Sequence, residues 1–422
     1  MGNPSPEAWS RVRRYASWMR RVRVDEWLSP LEEDTLRHLR LNSPTTGRWF
    51  PALRDLSWCI TKYNPPYADL FLSPHLERVS IYTSWTQRES AIPLDILPTI
   101  ASTIAALSVS TLRRLLVGMD SYGMSWEYFK DTLSSVILRC GPSLTELTSP
   151  IPLSDAAVNH VLQLPHLHIW HIEGPPPNHS TSSLPLVFPP LTELTLGEDP
   201  DAGCGWLSLF RRLEDRDSTS RGVTPLSRMK KTLDSLEIQN LSSPMTDASL
   251  TSTIQIFRNL TRLIVGNYCH DGDGEGQCIS KLNDTNVAEL AMSLSQLEHL
   301  HLGHPCFENT CATTVACLLL ISVHCVKLQS LEIHFNTTNI IDDLKNISED
   351  PRFQELRSLP KCTLSRLDVY LLPLALDGPG IEIVASRMID ILPHLKHCEG
   401  LNYGWDELSE TLKHVSIPAH RG

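Results

Sequence analysis

Residues 297–302 read LEHLHL, and the spacing of the three leucines in this stretch decides the fold. The pattern is Leu-x-x-Leu-x-Leu, in which Val, Ile or Trp sometimes takes the place of a later leucine. Side chains alternate between the two faces of a strand, so Leu300 and Leu302 lie on one face. The first leucine packs from the turn that leads into the strand. A single unit of this kind has nothing to bury its apolar face against, so the pattern indicates a stack of units.

The pattern recurs along almost the whole chain of 422 residues. There is a degraded copy near Leu395, and there are thirteen clear copies, which begin at Leu36, Leu53, Leu76, Leu112, Leu144, Leu167, Leu191, Leu233, Leu260, Leu297, Leu328, Leu364 and Leu412. Units of this kind stack side by side into a parallel sheet with a continuous core. The sequence therefore predicts an α/β leucine-rich-repeat solenoid. We expect it to be right-handed, with a parallel concave sheet and with helices and loops on the convex side.

The segments that connect the repeats vary in length, and several of them are predicted to be helical. These segments place apolar residues at helical spacing, some of them behind a polar residue that can cap a helix. They are residues 154–164, 246–257, 283–294, 313–325 and 381–392. We therefore expect residues 31–422 to form one irregular solenoid.

Two stretches interrupt the repeat pattern. Residues 174–190 are rich in proline and serine, and residues 197–228 carry a segment of mixed charge at residues 210–216. Long connections that lack a repeat pattern usually lie on the protein surface. We interpret both stretches as surface insertions.

Residues 1–30 differ from the rest of the chain because they are rich in arginine. Apolar residues three or four positions apart predict a helix with one apolar face; these residues are Trp9, Val12, Ala16, Met19 and Val22. A solenoid needs a cover over its first core layer, so we predict that this basic amphipathic helix caps the repeats. A nuclear-import signal and a calmodulin-type basic helix are the alternatives.

Composition and charge exclude several classes of protein. Hydrophobic residues make up 41% of the chain and charged residues 20%, as in globular domains rather than disordered ones. The apolar runs are far shorter than the roughly 20 residues that cross a bilayer, so no membrane partner is expected. The net charge of −11 disfavours a nucleic-acid partner. The arginine-rich start differs from a secretory signal, which predicts a cytoplasmic location, a nuclear one, or both.

The cysteine pattern favours reduced thiols. The chain has eleven cysteines, an odd number, and no CxxC pair. A disulfide framework or a zinc ribbon would need paired cysteines at short spacing. We therefore predict that the thiols are free and mostly buried.

Motifs for catalysis or for a cofactor are missing from the sequence. HExxH, GxSxG, GxxxxGK and the Rossmann glycine pattern are all absent, so we expect neither an enzyme nor a cofactor. Residues 271–276 read DGDGEG like the start of a calcium loop, but Leu282 stands where that loop requires a bidentate Glu. A histidine cluster lacks the cysteine pair or carboxylate that would complete a metal site; it consists of His299, His301, His304 and His334. We expect no bound metal.

The residues between the core leucines point outward from the sheet, to the surface on which solenoids usually bind other molecules. These positions carry more charge in the C-terminal repeats than elsewhere. We predict a protein-binding patch of acidic, imidazole and aromatic side chains; its members are Glu237, His299, His301, Glu332, His334, Arg366, Asp368 and Tyr370. The alternative is a solvated face without a dedicated ligand.

The N-terminal motif points to a family. Residues 8–20 read AWSRVRRYASWMR, and together with the irregular repeats they resemble the large fungal, basidiomycete-type family of F-box and leucine-rich-repeat proteins. The resemblance implies a substrate-recognition subunit of a Skp–cullin ubiquitin ligase, in which the F-box holds the Skp adaptor and the solenoid holds the target. The F-box pattern itself is not evident before Trp9. A stand-alone leucine-rich-repeat scaffold with no ubiquitin-ligase link is therefore the alternative.

Overall fold

The structure is a computed structural model of the chain. It describes residues 5–24, 30–41, 49–60, 70–83, 97–107, 109–118, 127–172, 174, 176, 188–197, 200–217, 226–239, 247–266, 282–303, 312–369, 374, 376–400 and 404–415. The chain divides into two compact units, residues 1–191 and residues 192–422.

The described part of the first unit alternates between strands and connecting segments, several of which are helical. Its elements are α1 (Pro6–Ala16), β1 (Arg21–Val24), α2 (Pro30–Leu41), β2 (Asp55–Ile60), β3 (Arg78–Thr83), α3 (Leu97–Ala105), β4 (Arg114–Gly118), α4 (Glu127–Arg139), β5 (Glu146–Ser149), α5 (Asp155–Val161) and β6 (Ile169–Ile172). The strands are parallel and lie in chain order, β1 to β6.

The described part of the second unit follows the same plan. Its elements are β7 (Glu193–Leu196), α6 (Pro200–Asp217), α7 (Met229–Thr232), β8 (Ser235–Ile238), α8 (Asp247–Ile254), β9 (Arg262–Val265), α9 (Asp284–Ser293), β10 (His299–Leu302), α10 (Ala316–His324), β11 (Ser330–Ile333), α11 (Ile340–Glu349), α12 (Pro351–Arg357), β12 (Arg366–Asp368), α13 (Gly378–Ile391), β13 (His397–Glu399) and α14 (Trp405–Val415). Its strands are also parallel and run in chain order from β7 to β13.

The core of each unit is a ladder of apolar side chains on the inward face of the sheet. Leu300 of β10 is paired in register with Leu331 of β11, and Leu331 is paired with Leu367 of β12. All three side chains are buried, whereas the residues beside them in sequence are half-buried or exposed. The alternation that the repeat motif predicts is therefore present, and the predicted α/β solenoid is confirmed.

Eleven of the thirteen predicted copies form strands, from β2 to β12. The first and last copies were predicted wrongly: Leu36 lies in α2, and Leu412 lies in α14. In both, the first two apolar residues are three positions apart, which also places them on one face of a helix. The degraded copy near Leu395, by contrast, forms β13, the last described strand of the second unit.

The N-terminal segment is only partly the helix that the apolar spacing predicts. Helix α1 begins after the cap residue Ser5, whose hydroxyl accepts a hydrogen bond from the Ala8 amide, and it ends at Ala16. Residues 21–24 form the strand β1 instead and pair with β2. Their sequence, RVRV, alternates charged and apolar residues with the period of a strand, and pairing with a neighbour favours that period. The predicted capping role of the segment stays a prediction.

The predicted surface insertion at residues 197–228 is wrong for its larger part, because residues 200–217 form α6. Trp206 and Phe210 of this helix are each 1% exposed, and the Phe210 ring packs edge-on against Phe257 at 5.6 Å between centroids. Trp206, Phe210 and Leu213 recur at helical spacing among the charged residues. Of residues 174–190, only 174, 176 and 188–190 are among the described residues.

Among the described residues, no helix combines the length and the apolar character needed to cross a membrane.

Replacing Phe210 by alanine should lower the free energy of unfolding by roughly 3–5 kcal/mol, since the loss of a buried aromatic side chain leaves a cavity in the core. The control is Ser208→Ala on the exposed side of α6, which should change stability by less than about 0.5 kcal/mol. Urea denaturation followed by circular dichroism measures both. Equal stability of the two variants would contradict the core position of α6.

Candidate functional site

The outward face of strands β8 to β13 carries two rows of polar side chains. The strand register aligns one residue per strand in each row, with about 4.8 Å between neighbouring strands. The first row, called the acidic row, consists of Glu237, Ile264, His301, Glu332, Asp368 and Glu399. The second row, called the basic row, consists of Ser235, Arg262, His299, Ser330, Arg366 and His397.

The acidic row contains four carboxylates and one imidazole. The apolar neighbours of these residues along each strand point inward, so the charged side chains remain on the accessible side. The side chains of Glu332 and Asp368 are 22% and 19% exposed, and that of Glu399 is 61% exposed. The row is therefore within reach of a partner.

His301 lies at the centre of the acidic row and donates two hydrogen bonds. Its Nδ1 lies 2.9 Å from Oε2 of Glu332, and its Nε2 lies 2.6 Å from the carbonyl oxygen of Gly303. A carboxylate and a carbonyl oxygen can only accept, so the doubly protonated, charged imidazole is the form that satisfies both contacts. Gly303 has φ +94°, a backbone conformation that glycine adopts without a steric penalty.

The pKa of His301 reflects two opposing influences. Burial alone would lower it, but the hydrogen bond and the charge of Glu332, the Gly303 carbonyl and the charge of Glu237 together raise the pKa above its ordinary value. The charged imidazole and the Glu332 carboxylate therefore stabilise each other.

Arg366 links the two rows. Its Nε lies 3.1 Å from the Asp368 carboxylate, and its Nη2 lies 3.0 Å from Oε2 of Glu399. The pKa of Asp368 is nevertheless raised, by burial and by the negative charges of Glu399 and Glu332, which outweigh the effect of Arg366. Asp368 and Glu399 share the single guanidinium of Arg366.

The structure brings six of the eight predicted residues onto one face: Glu237, His299, His301, Glu332, Arg366 and Asp368. The prediction for His334 is wrong, because this residue is 8% exposed and burial lowers its pKa. Strand β11 ends at Ile333, so the alternation of faces no longer applies one residue later. Tyr370 lies outside the described residues.

Three residues of the two rows with charged or imidazole side chains escaped the sequence prediction: Arg262, His397 and Glu399. Arg262 occupies the same position in its strand as His299, two residues before the central outward residue. His397 and Glu399 belong to the degraded repeat near Leu395, and recognising that repeat as a strand would have found them.

The described residues hold no group of three His, Cys, Asp or Glu side chains placed to bind a metal ion. Both nitrogens of His301 are already engaged in hydrogen bonds. His304 and the calcium-like segment at residues 271–276 lie outside the described residues.

Six cysteines whose side chains the structure describes are free and buried, as predicted; they are Cys59, Cys140, Cys317, Cys325, Cys362 and Cys398. Burial raises the pKa of Cys140 and of Cys325 to about 12. A nucleophilic cysteine needs a lowered pKa, so these two thiols stay protonated at neutral pH.

No family model matches this chain, and no curated protein matches it. Its structure is similar to a chain in the crystal structure of the yeast Rad7–Elc1 complex, with a TM-score of 0.37 and 17% sequence identity. That similarity covers 78% of this chain and 73% of the other. A resemblance at this level supports no shared function or partner.

Replacing Glu332 by glutamine should destabilise the chain by roughly 1 kcal/mol at acidic pH and by much less at alkaline pH. The folded pKa of His301 is raised, so the stabilising charge is fully present below the unfolded value of about 6.5 and is lost as the pH rises through the folded pKa. Urea denaturation of the wild type and the variant at about pH 6 and about pH 9 measures the difference.

Glu382→Gln on the exposed side of α13 serves as the control, because it removes a carboxylate that has no histidine partner among the described residues. Its effect should be small at both pH values. An effect of Glu332→Gln that stayed constant with pH would show that His301 is not charged through this contact.

Proposed function

We propose that this chain recognises a protein partner through the outward face of strands β8 to β13, with the acidic row as its main determinant. The observation that carries the proposal is the alignment of Glu237, Glu332, Asp368 and Glu399 in one register row. Complementary charge speeds association and suppresses wrong partners. A basic segment or a basic surface patch of the partner is the matching chemistry.

The contacts within the rows support a preorganised surface. His301 is held at both ring nitrogens, and Arg366 is held by two carboxylates. Glu237 accepts a hydrogen bond from the Gln239 amide at 2.7 Å, a neutral donor that leaves the carboxylate charge in place. Side chains fixed in this way lose less conformational entropy when a partner binds.

We further propose that the partner is a target of a Skp–cullin ubiquitin ligase, for which this chain is the substrate-binding part. This rests on the resemblance of residues 8–20 and of the irregular repeats to the F-box and leucine-rich-repeat family. In that role the chain binds proteins without catalysis or a cofactor, in the cytoplasm, the nucleus or both. The second candidate is a stand-alone leucine-rich-repeat scaffold without a ligase link.

The test of the binding face is affinity capture of the full chain from cells of its source, followed by mass spectrometry. The double variant Glu332→Ala/Asp368→Ala should lose the protein that the wild type retains, because two adjacent carboxylates of the acidic row are gone. The control Glu349→Ala/Glu382→Ala removes the same charge from exposed positions on α11 and α13 and should retain it. If both double variants retain the same proteins, the acidic row does not determine which partner the chain binds.

The same capture separates the two functional candidates. A ligase subunit should retain the Skp adaptor and the cullin in the wild type and in the Glu332→Ala/Asp368→Ala variant, since the adaptor does not bind the acidic row. Retention of a target protein without adaptor or cullin would favour the stand-alone scaffold and would contradict the ligase proposal.

A further inference from the structure

The first unit contains a cleft lined mainly by arginines. It has a volume of about 400 Å³ and lies where strands β1 to β3 begin. Its lining residues, which define the arginine cleft, are Arg20, Arg21, Arg54, Asp55, Glu77 and Arg78. None of them belongs to the acidic or the basic row of the second unit.

The register of the repeats builds this cluster. Arg21, Asp55, Arg78 and Arg114 are aligned across β1 to β4. The residues just before these strands are joined in the same order: the Arg54 amide donates to the Arg20 carbonyl, the Glu77 amide to Arg54, and the Arg113 amide to Glu77. Two rows of charged side chains, one residue apart in sequence, therefore cross the start of the sheet.

Positive charge in these two rows exceeds negative charge. Arg21 pairs with Asp55 at 3.0 Å, and Arg54 pairs with Glu77 at 2.8 Å. Arg78 shares Asp55 at the longer distance of 3.6 Å. Each of these carboxylates therefore already has a cation, and Asp55 has two.

The row just before the strands begins at Arg20 and reaches Arg113, and these two arginines have no such partner. Arg20 and Arg113 are exposed, and within the described ranges neither side chain forms an ion pair. Arg114, next to Arg113, is compensated by Glu146 at 2.6 Å. The uncompensated positive charge thus lies at Arg20 and Arg113, in a chain whose net charge is −11.

We propose that the arginine cleft, together with Arg113 on the next strand's approach, binds an acidic segment of a partner protein, whose carboxylates pair with Arg20 in the cleft and with Arg113 beside it. A guanidinium presents a planar fork of donors that matches a carboxylate in two parallel hydrogen bonds. Four adjacent strands span about 14 Å at about 4.8 Å per spacing, which about four extended residues cover at roughly 3.3–3.6 Å each.

The carboxylates within the cleft favour a peptide over a nucleic acid. Asp55 and Glu77 lie among the arginines, and they would repel a ligand that carries a charge on every unit of its backbone. A peptide can place neutral residues at those points and acidic residues opposite the free guanidinium groups. The positive charge also distinguishes this site from the acidic row, which selects a basic surface.

The test uses a fluorescein-labelled ten-residue peptide of alternating glycine and aspartate, and a matched peptide of alternating glycine and asparagine. Fluorescence anisotropy with the full wild-type chain should show binding of the aspartate peptide only. Affinity should fall between about 50 mM and about 500 mM NaCl, because salt screens exposed charges.

The double variant Arg20→Ala/Arg113→Ala should bind the aspartate peptide about tenfold or more weakly, since two charge-assisted contacts are removed. Neither side chain has a described ion-pair partner, so the melting temperature should stay unchanged. The control Arg258→Ala removes an exposed arginine of the second unit and should leave the affinity unchanged.

Three results would overturn the proposal. The first is that the asparagine peptide binds as tightly as the aspartate peptide. The second is that the Arg20→Ala/Arg113→Ala variant keeps the wild-type affinity for the aspartate peptide. The third is that a single-stranded oligonucleotide displaces the labelled aspartate peptide at a lower concentration than unlabelled aspartate peptide does. That result would indicate a general polyanion site instead.

Discussion

Burial of the inward apolar ladder is the interaction on which the rest of the structure depends. A strand such as β11 has only two inward side chains, Leu331 and Ile333, and they would be exposed without the strands on either side. Burying apolar surface is favourable at about 25 cal/mol per Å², and stacking gives each strand two neighbours to bury against. The helices add to this core from the other side, as α6 does with Trp206 and Phe210.

The same alternation releases the outward positions from any packing requirement. Core positions must be apolar in every repeat, whereas outward positions can take any residue that tolerates a strand. The chain uses this freedom differently in its two units. The outward face of the second unit concentrates carboxylates around His301, and the beginning of strands β1 to β4 in the first unit concentrates arginines around Asp55 and Glu77. The two surfaces thus differ in the sign of their charge, and the partners proposed for them differ accordingly.

Much of this architecture follows from the sequence, because one spacing rule is repeated many times. The rule failed at Leu36 and Leu412. In both copies the first two apolar residues are three positions apart, a spacing that suits a helix as well as a repeat strand, and only the tertiary context decides between them. It gave only a degraded match at the repeat of His397 and Glu399, which nevertheless forms a strand that pairs with β12.

The residues of the candidate site that follow the alternation of inward and outward side chains along a strand could be predicted from the sequence. Outward positions such as Glu332 and Asp368 follow from the motif alone. The charge state of His301 does not, since it depends on a neighbouring strand and on the positive φ of Gly303. The burial of His334 likewise depends on where β11 ends, which alternation cannot indicate.

The position and the sequence of strand β1 affect how the chain behaves in concentrated solution. Among the described strands it stands at the end of the strand order, and an outer strand offers its backbone amides and carbonyls to any chain that could add to the sheet. β1 is only four residues long and carries Arg21 and Arg23. A second copy aligned along it would bring arginine close to arginine, and this repulsion protects the sheet against edge-to-edge aggregation.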